Sequence, residues 1–227
     1  VGVSESTVVR FAIELGFSGY PKLQKSLQEL IKNKLTTVQR LEMSNDYIGQ
    51  GNALKGVLKA DMENIRATME KIDYNTFEDV VNNILLANRI YIIGLRSSTA
   101  LAEFLGFYLN IILKNVKTVG YGISDIFEQM INVGEGDLVI GIGFPRYSSR
   151  TIDALTFAQN RGATIVTLTD SYLSPLANNA DYTLIAQSNM ASFVDSLVAP
   201  LSVINSIIIA VGMREKESMV NTFANLE

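Results

Sequence analysis

The sequence contains no cysteine and no histidine. Without cysteine the chain has no disulfide, no thiolate nucleophile and no cysteine-based zinc site. Without histidine it has no Ser-His-Asp triad, and acid–base catalysis near neutral pH would depend on aspartate, glutamate, lysine or tyrosine. These absences exclude several classes of active site. The absence of cysteine also fits a reducing compartment, so we expect a cytoplasmic protein.

Long hydrophobic runs are also missing. No apolar run reaches the roughly 18 residues that a membrane span requires. The most apolar stretch, 197–213, is interrupted by Pro200 and by several polar residues, so it predicts a buried helix and we expect no membrane partner. No charged and then apolar leader precedes the first helix, and a start at Val1 indicates a fragment of a longer chain.

Charge is unevenly distributed along the 227 residues, whose formal net charge is −4. Residues 1–43 carry six Lys and Arg against four Asp and Glu, whereas residues 44–227 carry 13 against 19. A mildly basic head on an acidic body allows contact with nucleic acid at one end only.

The first 43 residues predict a small helical unit. Residues 4–15 form a helix that Ser4 can cap and that Gly16 ends, and a second helix follows at 22–35. The polar stretch 44–52 is typical of a linker. The apolar stripe of the first helix consists of Val8, Phe11, Ala12 and Leu15, which we expect to face inward.

From Arg89 onward, apolar strands alternate with amphipathic helices. This alternation predicts a doubly wound, flavodoxin-like α/β domain whose five-stranded parallel sheet has the order 2-1-3-4-5. We expect Asn75 or Thr76 to cap the helix that precedes the first strand. The predicted strands are 90–94, 116–120, 137–143, 163–169 and 181–186, and the predicted helices from residue 53 onward are 53–72, 76–88, 98–113, 124–131, 149–161 and 192–213.

Clustered hydroxyls and arginines follow the first and third strands. The helices that begin there offer unpaired N–H groups and positive dipole ends, and arginine forks suit phosphate oxygens. Because strands one and three are neighbours in the predicted sheet, both clusters predict one site for a small phosphorylated ligand. The candidate binding residues are Arg96, Ser97, Ser98, Arg146, Ser148, Ser149, Arg150 and Thr151.

Plain helix capping is the alternative interpretation of these serines, since every strand-to-helix unit needs a cap. Neither loop contains GxxxxGK[ST] or GxGxxG, which disfavours a nucleotide. The segment 169–171 is a third candidate that an Asx-type turn explains equally well. Asp125 and Glu128 could meet sugar hydroxyls, although a solvated face explains them better, and Glu103 is typical of a surface or dimer edge.

Residues 89–213 resemble the sugar isomerase (SIS) domain, a phosphosugar-binding module. The similarity lies in RIYIIGLRSS, in LVIGIG followed by YSSRT, and in AQNRGATIVTLTDSYLSPLANNADYTL. The head, VSESTVVRFAIELGFSGYPKLQKSL, resembles the second half of the helix-turn-helix domain of RpiR-type transcriptional regulators. The two resemblances cover most of the chain in the order of that regulator family.

The helix-turn-helix resemblance implies DNA contacts from one face of the first helix and from the turn after it. A recognition helix needs short polar or basic side chains toward the groove and an apolar rear. The first helices of the motif are absent from this chain, so we expect weak operator binding. The candidate DNA-binding residues are Ser4, Ser6, Thr7, Arg10, Tyr20 and Lys22, with capping or packing as the alternative for Ser4 and Thr7.

The chain departs from the SIS pattern in both serine loops. Arg96 replaces the second glycine of the usual G-x-G-x-S, and Gly143 stands where a serine is common, followed by an additional Phe-Pro-Arg that ends at Arg146. Both changes add arginine at the mouth of the expected site, which suggests a second acidic group on the ligand or a more tightly held phosphate.

The resemblance implies a transcriptional regulator of carbohydrate metabolism that senses a sugar phosphate, acts as a homodimer or tetramer and needs no metal or cofactor. A phosphosugar isomerase or lyase and a pure assembly module remain alternatives, although no glutamate follows the serine loops at an obvious spacing. The predicted organisation is a partial helix-turn-helix domain (1–43), a linker and helix (44–75), the SIS domain (76–215) and a tail (216–227).

Overall fold

A computed structural model describes residues 4–24, 27, 52–122, 124–189 and 194–216. Most of the second predicted helix (22–35), most of the linker 44–52 and all but the first residue of the tail 216–227 lie outside these residues. Within them no helix has both the length and the hydropathy that a membrane span requires.

The head contains helix α1, which spans Glu5–Glu14. Ser4 caps it, as predicted, and accepts a hydrogen bond from the N–H of Thr7 at 3.3 Å. Only part of the predicted apolar stripe is covered: Ala12 is buried, whereas Phe11 is 57% and Leu15 51% exposed. The inward placement of Phe11 and Leu15 stays a prediction, because most of the second helix of the head lies outside the described residues.

Two helices precede the sheet. Helix α2 (Ala53–Lys71) is capped by Asn52, and helix α3 (Tyr74–Leu86) is capped by Asp73, whose carboxylate accepts from the N–H of Thr76 at 2.8 Å. The prediction that Asn75 or Thr76 caps α3 was wrong, because the aspartate just before the helix has the shorter reach to its free N–H groups.

The sheet has five parallel strands in the order β2-β1-β3-β4-β5, as the sequence predicts. Strands β1 and β3 pair along their full length, from Ile90 against Leu138 to Gly94 against Ile142. Their carboxyl ends therefore lie side by side at one edge of the sheet. The strands are β1 (Ile90–Gly94), β2 (Val116–Val119), β3 (Leu138–Ile142), β4 (Thr164–Thr169) and β5 (Tyr182–Ile185).

Helices cover both faces of the sheet, which explains why β1 and β3 are apolar and buried at every position. Helices α3, α4 and α7 pack over one face and α5 and α6 over the other. Helix α2 contacts α7. The helices that follow β1 are α4 (Thr99–Ile112), α5 (Ile126–Gln129), α6 (Ser149–Gln159) and α7 (Val198–Arg214), and a short 3-10 turn, Arg96–Ser98, leads into α4.

Two helix boundaries differ clearly from the prediction. Helix α5 is a single turn rather than 124–131, since the capping box of Asp125 and Glu128 starts it and a tight turn at Met130 ends it. Helix α7 begins at Val198 rather than at 192, and residues 194–197 are not helical. Pro200 explains the later start, because a proline is tolerated in the first turn of a helix and not in its interior.

Candidate functional site

The loops that follow β1 and β3 meet in one pocket. We call residues 95–98 the first serine loop and residues 143–148 the second serine loop. The pocket between them has a volume of about 320 Å³, a figure that includes the space open to solvent at its mouth. Its lining consists of Leu95, Arg96, Ser97, Ser98, Ile142, Gly143, Phe144, Pro145, Arg146, Ser148, Thr151 and Asp195.

The serines at the two helix starts do not cap their helices. Ser98 stands at the N-cap of α4 and Ser148 at that of α6, yet neither side chain makes a capping hydrogen bond. Ser4, Asn52 and Asp73 all cap their helices through their side chains. Helix capping therefore does not account for Ser98 and Ser148, and the first turns of both helices lack their usual side-chain partner.

Thr151 adds a buried hydroxyl without a partner. It lies in the first turn of α6, is 1% exposed, and its Oγ1 has no hydrogen-bond partner among the described residues. An unpaired buried hydroxyl costs free energy, and native proteins rarely keep one without a function. Because Thr151 lines the pocket, the simplest partner for its hydroxyl is a polar group of a bound ligand.

Both arginines at the pocket mouth have left-handed backbones. The φ angle of Arg96 is +61° and that of Arg146 is +69°, a region that side chains other than glycine rarely adopt. Arg96, which stands where the resemblance places a glycine, therefore holds a backbone conformation that suits glycine. The guanidinium of Arg96 donates to the main-chain oxygen of Arg146 at 3.1 Å and ties the two serine loops together.

Two glycines give the loops their close packing. A Cβ atom at Gly94 would lie 2.6 Å from the main-chain oxygen of Ser98, so the first serine loop turns directly against the end of β1. A Cβ atom at Gly143 would lie 2.7 Å from the side chain of Leu176. A serine at position 143 would therefore require the buried side chain of Leu176 to shift.

The structure adds one residue that the sequence did not indicate. Asp195 precedes α7, and its side chain is only 9% exposed. Its Oδ2 accepts from Ser97 Oγ at 3.1 Å and pairs with the guanidinium of Arg146 at 3.4 Å. The sequence analysis had placed it inside a helix, and no local motif marks a carboxylate 98 residues away from its serine partner.

The comparison with protein families decides the assignment. Residues 83–210 match the model of the SIS domain family. The chain belongs to the SIS domain family. The SIS domain of an RpiR transcription factor from Sphaerobacter thermophilus is 30% identical, with a TM-score of 0.72, over 75% of this chain and 95% of that one. The resemblance predicted from the sequence is confirmed.

Relatives of this SIS protein include regulators. A Haemophilus influenzae protein named an uncharacterised HTH-type transcriptional regulator is 31% identical over 81% of this chain, which spans 64% of that protein's length. Vibrio vulnificus NanR, solved with ManNAc-6P, shares the fold over 99% of this chain and 81% of its own, at 19% identity and a TM-score of 0.65.

The same fold also occurs among enzymes. A Methanococcus jannaschii protein, for which a 3-hexulose-6-phosphate isomerase function has been inferred, is 16% identical, with a TM-score of 0.59, over 73% of this chain and 96% of that one. At this identity the likeness concerns the fold alone, so the fold by itself does not separate a sensor from an isomerase.

Two predicted site residues of the SIS domain lie outside the pocket lining. Ser149 is exposed at the first position of α6, and Arg150 next to it forms an ion pair with Asp125. Asp125 also accepts from the N–H of Phe127, and this hydrogen bond together with Arg150 lowers the pKa of its carboxyl. The structure thus gives Arg150, Asp125 and Glu128 bonds within the protein rather than positions in the pocket.

The segment after β4 forms a structural network. The hydroxyl of Tyr147, in the second serine loop, donates to Asp170 at 2.6 Å, and the hydroxyl of Thr169 donates to the buried Ser174 at 2.9 Å. Burial and the hydrogen bond to Asp170 raise the pKa of the Tyr147 phenol far above its usual value. Ser171 accepts from the N–H of Leu173 in a local turn, which favours the turn interpretation of this segment.

Three of the predicted DNA-binding residues lie together in the head, and the other three are exposed. The hydroxyl of Ser4 is 2.8 Å from that of Ser6 and 2.9 Å from that of Thr7, so these three side chains form a single cluster at the start of α1. Arg10, Tyr20 and Lys22 are exposed. Among the described residues no group of three or more carboxylates stands where it could hold a metal ion.

Proposed function

We propose that this SIS domain binds a phosphorylated sugar between its two serine loops and that the protein is a transcriptional regulator whose affinity for operator DNA depends on that ligand. One observation carries the proposal. Ser98 and Ser148, which do not cap their helices, line the same pocket as Thr151, whose buried hydroxyl has no partner among the described residues. The regulator names of the relatives and the ManNAc-6P bound to NanR support it.

The chemistry of the lining favours a phosphate group. Two helix N-termini offer main-chain N–H groups, Ser97, Ser98 and Ser148 offer hydroxyls, and Arg96 and Arg146 carry positive charge at the mouth. Because a phosphate has three terminal oxygens, it can accept hydrogen bonds from both loops at once. The small pocket favours a sugar phosphate over a dinucleotide.

The same lining disfavours catalysis. Interconversion of aldose and ketose needs a positioned base that moves a proton between adjacent carbons. Asp195 is the single carboxylate among the lining residues, and it is already bonded to Ser97 and Arg146. We therefore expect a sensor, and nuclear magnetic resonance of sugar phosphates incubated with the protein would show no interconversion.

In this proposal the head contacts DNA through α1. The hydroxyls of Ser4, Ser6 and Thr7 and the guanidinium of Arg10 face the major groove, while Tyr20 and Lys22 contact phosphates. The cluster of three hydroxyls lies at the N-terminal end of α1, where recognition helices make their base contacts.

A homodimer or a tetramer would bring two heads together on one operator. Helix α2 carries apolar side chains at the spacing of a helix–helix seam, namely Leu58, Met62, Ile65 and Met69, each at least 40% exposed. Covering this stripe is the expected role of a second subunit, and light scattering of the protein in solution should give the mass of a dimer or tetramer.

A thermal-shift screen tests the ligand proposal. The protein is heated with ketose phosphates, aldose phosphates and phosphorylated amino sugars, and with the same sugars without phosphate. We expect at least one phosphosugar to raise the unfolding temperature and no free sugar to do so. The proposal fails if no phosphosugar stabilises the protein, or if the free sugar stabilises it as strongly.

A further inference from the structure

A carboxylate of the protein itself lies in the anion pocket. Asp195 contacts Ser97 of the first serine loop and Arg146 of the second, both through Oδ2. These are donors that a ligand phosphate would use. In the ligand-free protein, one carboxylate is therefore already bonded to both serine loops.

The segment that carries Asp195 is bonded to α2 on both sides of that residue. The hydroxyl of Ser196 donates to Oδ1 of Asp61 at 2.6 Å. Earlier in the same segment, the side chain of Asn64 exchanges two hydrogen bonds with the main chain of Asn189, at 2.9 Å and 3.2 Å. In the chain, helix α2 is the first described element after the head, and α3 follows it before the sheet.

A phosphate and the Asp195 carboxylate compete for the same place. Two anions that share one arginine and one serine in a partly buried pocket repel each other. Asp195 stands on a loop just before α7, so its carboxylate can leave when that loop moves. Ser97 lies in the 3-10 turn that leads from β1 into α4, and the guanidinium of Arg96 ties the main chain of Arg146 to that turn.

We propose that Asp195 occupies the anion site of the ligand-free protein, that the phosphate of the ligand displaces it, and that the displacement reaches α2 through the bond between Ser196 and Asp61. This inference rests on the proposed phosphosugar function and adds to it the means by which the occupied site acts on the rest of the chain. Asp195 is a competitor of the ligand rather than a contact to it.

The change in phosphate affinity caused by Asp195→Asn shows whether Asp195 competes with the ligand or contacts it. In Asp195→Asn the side chain keeps its shape and its acceptor for Ser97 but loses its charge. We expect inorganic phosphate, and the phosphosugar with the largest thermal shift, to bind roughly tenfold more tightly to this variant than to the wild type. Isothermal titration calorimetry measures both constants.

Asp153→Asn is the matched control. Asp153 is exposed on α6 and is not a lining residue, so its substitution changes the net charge equally without touching the pocket. We expect less than a twofold effect. Weaker binding to Asp195→Asn would show that the carboxylate contacts the ligand. Unchanged binding would show that it neither contacts the ligand nor competes with it. Either result overturns the inference and leaves the phosphosugar function intact. If neither the wild type nor either variant bound phosphate or phosphosugar, both the inference and the phosphosugar function would be overturned.

Amide hydrogen exchange tests the route to α2. Saturating inorganic phosphate should change the exchange of wild-type residues around Asp61, because the release of Asp195 disturbs the Ser196 bond. In Ser196→Ala phosphate should still bind while this change in α2 is lost, whereas Ser202→Ala, an exposed serine on α7, should behave like the wild type. An unchanged α2 in the wild type, or an equal response in Ser196→Ala, would overturn the route.

Discussion

At the residue scale, the pocket collects features that are unfavourable for the fold itself. Thr151 keeps a buried hydroxyl that has no partner in the described part of the chain, and Arg96 and Arg146 hold left-handed backbones that glycine would adopt without strain. Such features persist where function requires them, and they gather at binding sites. Because these features occur together in one pocket, they support a site in which ligand binding is favoured at a cost in folding stability.

Thr151→Val should separate stability from binding. Valine has nearly the shape of threonine and lacks the unpaired hydroxyl, so the ligand-free variant should be more stable by about 1 kcal/mol. The same change removes a hydrogen bond to the ligand and should weaken phosphosugar binding by roughly tenfold. Urea unfolding and calorimetric titration measure the two effects.

Thr167→Val is the control for this substitution. Thr167 is also fully buried, but its hydroxyl lies 3.0 Å from that of Thr183 and is paired. Valine there should destabilise the protein by about 1 kcal/mol, because it leaves Thr183 without its partner. If Thr151→Val were destabilising as well, the hydroxyl of Thr151 would have a partner and the argument from it would fail.

The strain at Arg96 can be measured by comparing two substitutions. Arg96→Ala removes the guanidinium and keeps a side chain in the left-handed conformation, whereas Arg96→Gly removes both. We expect the glycine variant to be about 1 kcal/mol more stable than the alanine variant in urea unfolding. Both should bind phosphosugar more weakly than the wild type and to a similar extent. Equal stability of the two variants would contradict a strained backbone.

At the element scale, the sheet and the meeting of the serine loops follow directly from the sequence. Alternating strands and helices require a parallel sheet, and right-handed crossovers then place β1 beside β3. Local patterns also located Ser98 and Ser148 at helix starts. These features depend on residues close together in the chain or on general rules of topology, which is why they were predictable.

Other features depend on contacts that no local pattern reveals. Asp195 enters the pocket from a segment far along the chain, and Arg150 turns to Asp125 although its neighbours in sequence line the pocket. The left-handed backbone of Arg146 lies in the second serine loop, and no local sequence pattern indicates it. Each of these depends on tertiary packing around the loop ends, so sequence reasoning alone could not place them.

The contact between the second serine loop and β4 predicts a dependence on alkaline pH. Burial and Asp170 raise the folded-state pKa of Tyr147 above the unfolded value, so the neutral phenol favours the folded state. This stabilisation is complete below the usual tyrosine pKa of about 10 and is lost as the pH rises above it.

Tyr147→Phe tests this dependence. The variant should be less stable at neutral pH by about 1–3 kcal/mol, since Asp170 loses a donor, and should lose less stability than the wild type as the pH rises above about 10. Urea unfolding across the pH range measures both. Tyr172→Phe, at a 58% exposed tyrosine, should follow the wild type. Parallel curves for Tyr147→Phe and the wild type would contradict the assignment.

At the scale of the whole molecule, a regulator must couple its ligand site to its DNA-binding head. Linkage requires that this coupling be reciprocal: if the ligand changes the affinity for operator DNA by a given factor, DNA changes the affinity for the ligand by the same factor. In this chain α2 and α3 join the two parts in sequence, and α2 is also bonded to the segment of Asp195, so we expect the coupling to involve α2.

The coupling predicts that the ligand changes the affinity for DNA by the same factor by which DNA changes the affinity for the ligand. Binding sites for the protein are first selected from random DNA duplexes, and fluorescence anisotropy then gives the DNA affinity with and without phosphosugar. We expect the ligand to change this affinity by about five- to 150-fold, and calorimetry should show the same factor for ligand binding with and without DNA. Arg10→Ala should weaken DNA binding and leave ligand binding unchanged. A ligand that binds without altering the DNA affinity would contradict the regulator proposal.

The central claim is that Ser98 and Ser148 hold the phosphate group of a sugar phosphate. Calorimetric titration of the phosphosugar found in the thermal screen, into the wild type and into a Ser98→Ala, Ser148→Ala double variant, tests it directly. Ser202→Ala is the control for the loss of an exposed hydroxyl. We predict that the double variant stays folded and binds the phosphosugar at least a hundredfold more weakly, because two hydrogen bonds to a charged group are lost. Undiminished binding by the double variant would contradict the account.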